Sequence, residues 1–122
     1  MPTQRELLSE RFLNFAAAII DLADEQDKNA SSRHVLGQLI RSATSTGANY
    51  EESRSAESRQ DFIHKMQIVL KELRETGYWL KLLSRSKRQM QARQKLDALS
   101  GEAEELTRIV AKSVVTAKSK NV

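Results

Sequence analysis

Apolar residues return along this chain at intervals of three and four, the spacing that puts them on one face of an α-helix. Leu8, Phe12, Phe15, Ile19 and Leu22 form the first such stripe, with Ala16 and Ala23 beside it. Thr3-Gln4-Arg5-Glu6 precedes it and fits a capping box, in which the threonine hydroxyl takes one orphan amide and the glutamate reaches back to another. Pro2 stands where a proline interrupts nothing. The pattern predicts a helix over about 3–24, and the polar stretch from Asp24 to Ser32 reads as a loop. Leu36, Leu39, Ile40, Ala43 and Gly47 then mark a second helix over about 32–50, whose narrow seam of small residues suits a close neighbour. The turn signal in Gly47-Ala48-Asn49 and the SRSAES segment are expected to end this pair.

Ser58-Arg59-Gln60-Asp61 offers the next start signal, for a third helix placed at about 56–84. Phe62, Met66, Val69, Leu73, Thr76, Leu80 and Leu83 form its seam over three heptads, while Ile63, Ile68, Leu70, Tyr78, Trp79 and Leu82 fall outside it. So much apolar circumference predicts a helix that is central, or that meets a second chain as well. Ser86-Lys87-Arg88-Gln89 reads as a further capping box and opens a fourth helix over about 87–118. With so short a link, the third and fourth helices must be antiparallel neighbours. Ala92, Leu96, Leu99, Ala103, Leu106, Val110 and Ser113 give the last seam, and the polar SKNV tail is expected to fray. The fold class that follows is all-α: one antiparallel up-down-up-down four-helix bundle spanning 1–122.

Composition narrows the chemistry. A chain of 122 residues buries a core without staples, and the absence of cysteine excludes disulfides and thiolate zinc sites. No apolar run approaches the ~18 residues that cross a bilayer. The polar start Met1-Pro-Thr-Gln-Arg-Glu does not resemble an export signal, so a soluble, cytoplasmic protein with no membrane partner is expected. Asp61 and His64 have the i, i+3 spacing by which some bundles present a carboxylate and an imidazole to metal. Such a centre needs a second pair, and His34, the only other histidine, has Ser31 three positions before it. No metal, no cofactor and no enzymatic activity are expected, since nothing pairs a nucleophile with a base or cradles a phosphate in a glycine loop.

Charge is uneven. Residues 54–95 hold eleven Lys or Arg against four Asp or Glu, a net +7, and the remainder is −3 within a total of +4. Arg85, Lys87, Arg88, Arg93 and Lys95 crowd the turn between the third and fourth helices. Two readings stand, a non-specific contact for RNA or DNA phosphates and ordinary solubilising charge.

The residues from Arg41 to Leu80 carry a family resemblance. Arg41-Ser42, Thr44-Ser45, Gly47-Ala48-Asn49-Tyr50 and Glu52, followed by Asp61-Phe62-Ile63, Lys71-Glu72, Glu75-Thr76 and Tyr78-Trp79-Leu80, strongly resemble the bacterial four-helix bundle proteins encoded by intervening sequences within 23S rRNA genes. Members often have proline where Gly47 stands and glycine where Ser53 stands, which places this chain in a Gly-Ala-Asn-Tyr branch. The resemblance implies a ring-like homo-oligomer, commonly a pentamer. It also implies a possible protein partner, since a basic relative serves a reverse transcriptase as an accessory that binds it and nucleic acid. Tyr78, Trp79 and Leu82 are the expected interface residues. Arg41, Gly47, Asn49, Tyr50 and Glu52 either line a shared pocket or hold the bundle together. The structural role is preferred, with Arg41 pairing a carboxylate and Asn49 and Glu52 meeting free amides where the second helix ends.

Overall fold

A computed structural model of the chain describes residues 1–26 and 29–120. Four α-helices follow one another, α1 Gln4–Asp24, α2 Ala30–Arg54, α3 Arg59–Arg85 and α4 Arg93–Ser119, with a 3₁₀ segment, Lys87–Ala92, before the last. They form an all-α four-helix bundle. α3 packs along both α2 and α4, α1 packs on α2, and α1 meets α4 only sparsely. That central place answers the broad apolar circumference of α3, whose seam faces two neighbours at once. Parts of two predicted polar stretches, residues 27–28 of the first loop and 121–122 of the SKNV tail, lie outside the described residues.

The core is built from the expected stripes: Phe12, Phe15, Ile19 and Leu22 from α1, Leu36, Leu39 and Ala43 from α2, Met66, Val69, Leu73 and Leu80 from α3, and Leu96, Ala103, Leu106 and Val110 from α4. Three seam positions of α3 and α4 differ from the heptad reading, one of them Leu99, which is only partly buried. Ile63, not Phe62, is the buried residue opening the α3 seam, and Val114, not Ser113, closes that of α4. A straight α-helix has 3.6 residues per turn, so a strict seven-residue repeat drifts by ~20° per heptad and misplaces its ends.

Helix ends show where local signals prevail and where packing overrides them. The α1 capping box forms: the Glu6 amide donates to Thr3 Oγ1 at 3.1 Å, and the Thr3 amide donates to Glu6 Oε2 at 2.8 Å. Ser58 caps α3, its Oγ accepting the Asp61 amide at 3.0 Å. α2 starts two residues earlier than expected, because Asn29 Oδ1 accepts the Ser32 amide at 3.0 Å. It also runs through Gly47-Ala48-Asn49 to Arg54 rather than turning there. No described residue has a positive φ, so Gly47 is helical and its missing side chain serves packing.

The capping box expected at Ser86 does not form. Ser86 makes no side-chain cap bond, and the chain enters the 3₁₀ segment with Gln89 at φ −106° and ψ 19°. Gln89 and Ala92 are buried instead, Gln89 Nε2 lying 3.4 Å from Ser32 Oγ on α2. Burying Gln89 and Ala92 between the 3₁₀ turn and its neighbours α3 and α4 outweighs the local capping preference, and α4 proper begins only at Arg93.

The small seam of α2 is partly polar. Ser42, Thr46 and Ser53 are buried, and their hydroxyls donate to the carbonyls of Leu39, Ala43 and Tyr50 three residues back, at 3.2, 2.7 and 2.6 Å. Thr76 of α3 meets them with its hydroxyl 3.0 Å from Ser42 Oγ and 2.8 Å from the Glu72 carbonyl. Back-bonding keeps these polar atoms satisfied while their small size lets α2 and α3 approach. No helix among the described residues is long and apolar enough to cross a membrane.

Candidate functional site

The basic turn lies where α3 ends and the chain doubles back through the 3₁₀ segment. The five cations expected there divide into two groups. Arg93 donates Nε–H to the Ser84 carbonyl at 3.0 Å, and Lys95 Nζ pairs with Glu25 Oε2 at 2.8 Å. These two tie α4 to the end of α3 and to the end of α1. Arg85, Lys87 and Arg88 are exposed and, among the described residues, have no ion pair or hydrogen-bonded side-chain partner. Arg85 and Arg88 stand beside Ser31, Ser32 and Ser86 around a surface cavity of about 290 Å³. Three unpaired cations within four residues keep their full charge available to an anion, whereas Lys95 is partly neutralised by Glu25 and Arg93 has one N–H committed to a carbonyl.

Arg41 reaches from α2 to α3. Its guanidinium pairs with Glu72 at 3.4 Å and, more closely, with Glu75, while Nε–H donates to Gln38 Oε1 at 3.1 Å. Glu75 also accepts the Trp79 indole N–H at 3.0 Å. That indole hydrogen bond, together with Arg41, holds the Glu75 carboxyl below its usual range against the opposing effect of burial. Trp79 is half-buried against the core, and Tyr78 meets it edge-on with ring centroids 5.1 Å apart. Of the three residues expected at an interface, Trp79 is therefore engaged within its own chain, whereas Tyr78 and Leu82 are exposed.

The remaining family-motif residues do not converge. Gly47 and Tyr50 face α1, where the Tyr50 ring stacks on Phe12 with centroids 5.1 Å apart. Asn49 donates to the Ser45 carbonyl at 2.8 Å within α2, and Glu52 is exposed. Asn49 lies more than a turn before the end of α2, and Glu52, though in the last turn, stands where a helix leaves free carbonyls rather than free amides, so neither caps the helix as expected. Asp61 pairs with Lys65 at 3.5 Å, His64 is exposed, and no group of three metal-ligating side chains occurs among the described residues.

One surface escaped the sequence reading. Charged residues are 30% of the chain, yet α1 has none between Arg11 and Asp21, and α2 has only Arg41 between His34 and Glu51. Leu13 is 64% exposed and Ile20 42% exposed, with Ala17 exposed between them. On α2 the exposed positions between His34 and Glu51 are Gly37, Arg41, Thr44 and Ala48, so Arg41 is the one charge in that row. The signal was a missing charge rather than a motif, and hydrophobic periodicity is blind to it.

With this geometry in view, the comparisons with known proteins are decisive on ancestry. The family described as 23S rRNA-intervening sequence protein matches residues 8–112. The chain belongs to that family. The chain is also similar to a crystallised protein of unknown function from the S23 ribosomal protein family of Bacteroides thetaiotaomicron. The two are 32% identical with a TM-score of 0.79, covering 92% of this chain and 98% of the other. No curated protein matches the chain. Neither finding names an activity.

Proposed function

We propose that the protein is a non-catalytic, self-associating scaffold that contacts nucleic acid non-specifically through its basic turn. The observation that carries this reading is the trio Arg85, Lys87 and Arg88, exposed and unpaired among the described residues at one end of the bundle. Counterion release from phosphate is the chemistry such a trio offers, with no recognition helix or base-reading motif beside it. Assembly into a homo-oligomer, a pentamer in the ring form, would repeat the patch once per subunit and multiply weak contacts through avidity. The charge-poor α1–α2 face and the exposed Tyr78 and Leu82 support self-association, because isolated bundles rarely leave such a face to water.

Fluorescence anisotropy with labelled RNA and DNA at two salt concentrations tests the nucleic-acid half. Binding should fall steeply with salt and weaken when Arg85, Lys87 and Arg88 are all changed to Gln, with helicity and oligomeric state unchanged. Light scattering after size exclusion tests the assembly half, and a monomer at micromolar concentration would overturn it. The second reading is a purely protein-binding oligomer, which the charge-poor α1–α2 face favours by itself. Assembly without any nucleic-acid binding would establish that alternative.

A further inference from the structure

Between the first half of α1 and the second half of α4, which meet sparsely, lies a groove of about 660 Å³, within the range of small-molecule sites. Its far end is closed by a two-pronged bridge, in which Arg11 donates Nε–H to Glu102 Oε2 at 3.1 Å and Nη2–H to Glu102 Oε1 at 2.6 Å. Leu8, Phe62, Met66 and Ile109 supply an apolar floor and walls. Leu7, 48% exposed, stands at the lip. This is a preformed apolar slot on a bundle whose other three seams are packed.

Polar groups gather at the end of the slot nearest the α2 terminus. Tyr50 lines it, is only 3% exposed, and its hydroxyl makes a single long contact, 3.4 Å to the Arg5 carbonyl. Burial pushes this phenol up, with Arg54 and Arg5 close enough to pull the other way, so the hydroxyl remains a donor at neutral pH. The Arg5 side chain is exposed and has no ion pair among the described residues. Arg54 donates to Ser9 Oγ at 2.9 Å and stands 3.5 Å from Glu51, which leaves other guanidinium N–H groups for an anion. Glu10 is the one acid lining the slot, against the three guanidinium groups of Arg5, Arg11 and Arg54.

We infer that this groove binds a long-chain carboxylate, its hydrocarbon tail along Leu8, Phe62, Met66 and Ile109 and its head between Tyr50, Arg5 and Arg54. Apolar walls select the tail through burial, and two guanidinium groups with a neutral phenol select an anionic head over a cationic one. The site is remote from the basic turn and does not depend on the function proposed above.

Calorimetric titration of the full chain with dodecanoate below its micelle concentration is the test, with dodecyltrimethylammonium as a probe of equal tail and opposite head. Dodecanoate should bind saturably and about tenfold or more tighter than the cation, a difference that charge-assisted contacts readily supply. Changing Arg5 and Arg54 together to Gln should abolish that preference, and Tyr50→Phe, which keeps the stack on Phe12, should reduce it. The Arg85→Gln, Lys87→Gln, Arg88→Gln variant should bind dodecanoate as the parent does. Circular dichroism on each variant separates loss of the head contacts from loss of the fold. Equal affinity for the two amphiphiles, no saturable binding, or a preference that survives the Arg5 and Arg54 changes would overturn the inference.

Discussion

A β-carbon at Gly47 would stand 3.2 Å from the β-carbon of Phe12, so α1 and α2 cross where α2 has no side chain to interpose. The same contact lets the Tyr50 ring, one turn further on, stack on Phe12. Gly101 differs: it too is helical, but a Cβ there meets nothing within 4 Å. Gly101→Ala should therefore gain helix propensity, about 0.5–1 kcal/mol. Gly47→Ala should lose more than that gain, since the Phe12 β-carbon moves only with the α1 backbone. Chemical denaturation of the two variants checks the contrast, and equal stabilisation would show that the crossing is looser than described.

Leu73 and Leu80 are fully buried on α3, and truncating either to Ala should cost about 2–5 kcal/mol through lost burial and the cavity left behind. Lys71 is exposed on the same helix, and Lys71→Ala should cost far less. Thermal melts of the three variants decide whether the α3 register is as assigned.

Glu75 makes stability depend on acid. Its carboxyl is held below the usual range, first by the Trp79 N–H and then by Arg41. A depressed folded-state pKa contributes stability that is fully present above the unfolded value, about 4.3, and is lost as pH falls through the lower folded value. The melting-temperature advantage of the parent over Glu75→Gln should thus be present near pH ~7 and shrink toward pH ~3. An advantage that stays constant over that range would remove Glu75 from the account.

Gln89 is buried with its Oε1 unpartnered and its Nε2 in one long contact to Ser32. An incompletely satisfied buried amide costs free energy, so Gln89→Met, similar in length and apolar, should be neutral or stabilising. Gln89→Ala should instead destabilise by opening a cavity beneath the 3₁₀ turn. Calorimetric melts of both variants separate the two effects.

Much of the site was legible one residue at a time. The cluster of cations around the α3–α4 link could be read from the sequence, but not that Lys95 is taken by Glu25 of α1 and Arg93 by the Ser84 carbonyl. Glu25 and Lys95 are seventy positions apart, and nothing local relates them. Pairing of Arg41 with a carboxylate was expected from residue type, while the choice of Glu72 and Glu75 belongs to the packing of α2 on α3. The slot between α1 and α4 had no sequence signal, because a groove is defined by two helices that fail to meet.

The sequence by itself determined the four helices and most of the buried stripe on each, because helical periodicity and caps such as Thr3 and Ser58 act within a few residues of themselves. Tertiary structure decided where helix ends yield to packing. α2 passes straight through Gly47, whose missing side chain leaves room for Phe12, and the Ser86 box gives way to a 3₁₀ turn that buries Gln89. Tertiary structure also decided which cations remain free, which aromatic is engaged and which seam stays open. Those outcomes rest on contacts between distant residues, whose energies outweigh the ~1 kcal/mol of a single cap or propensity and leave no mark on the local pattern.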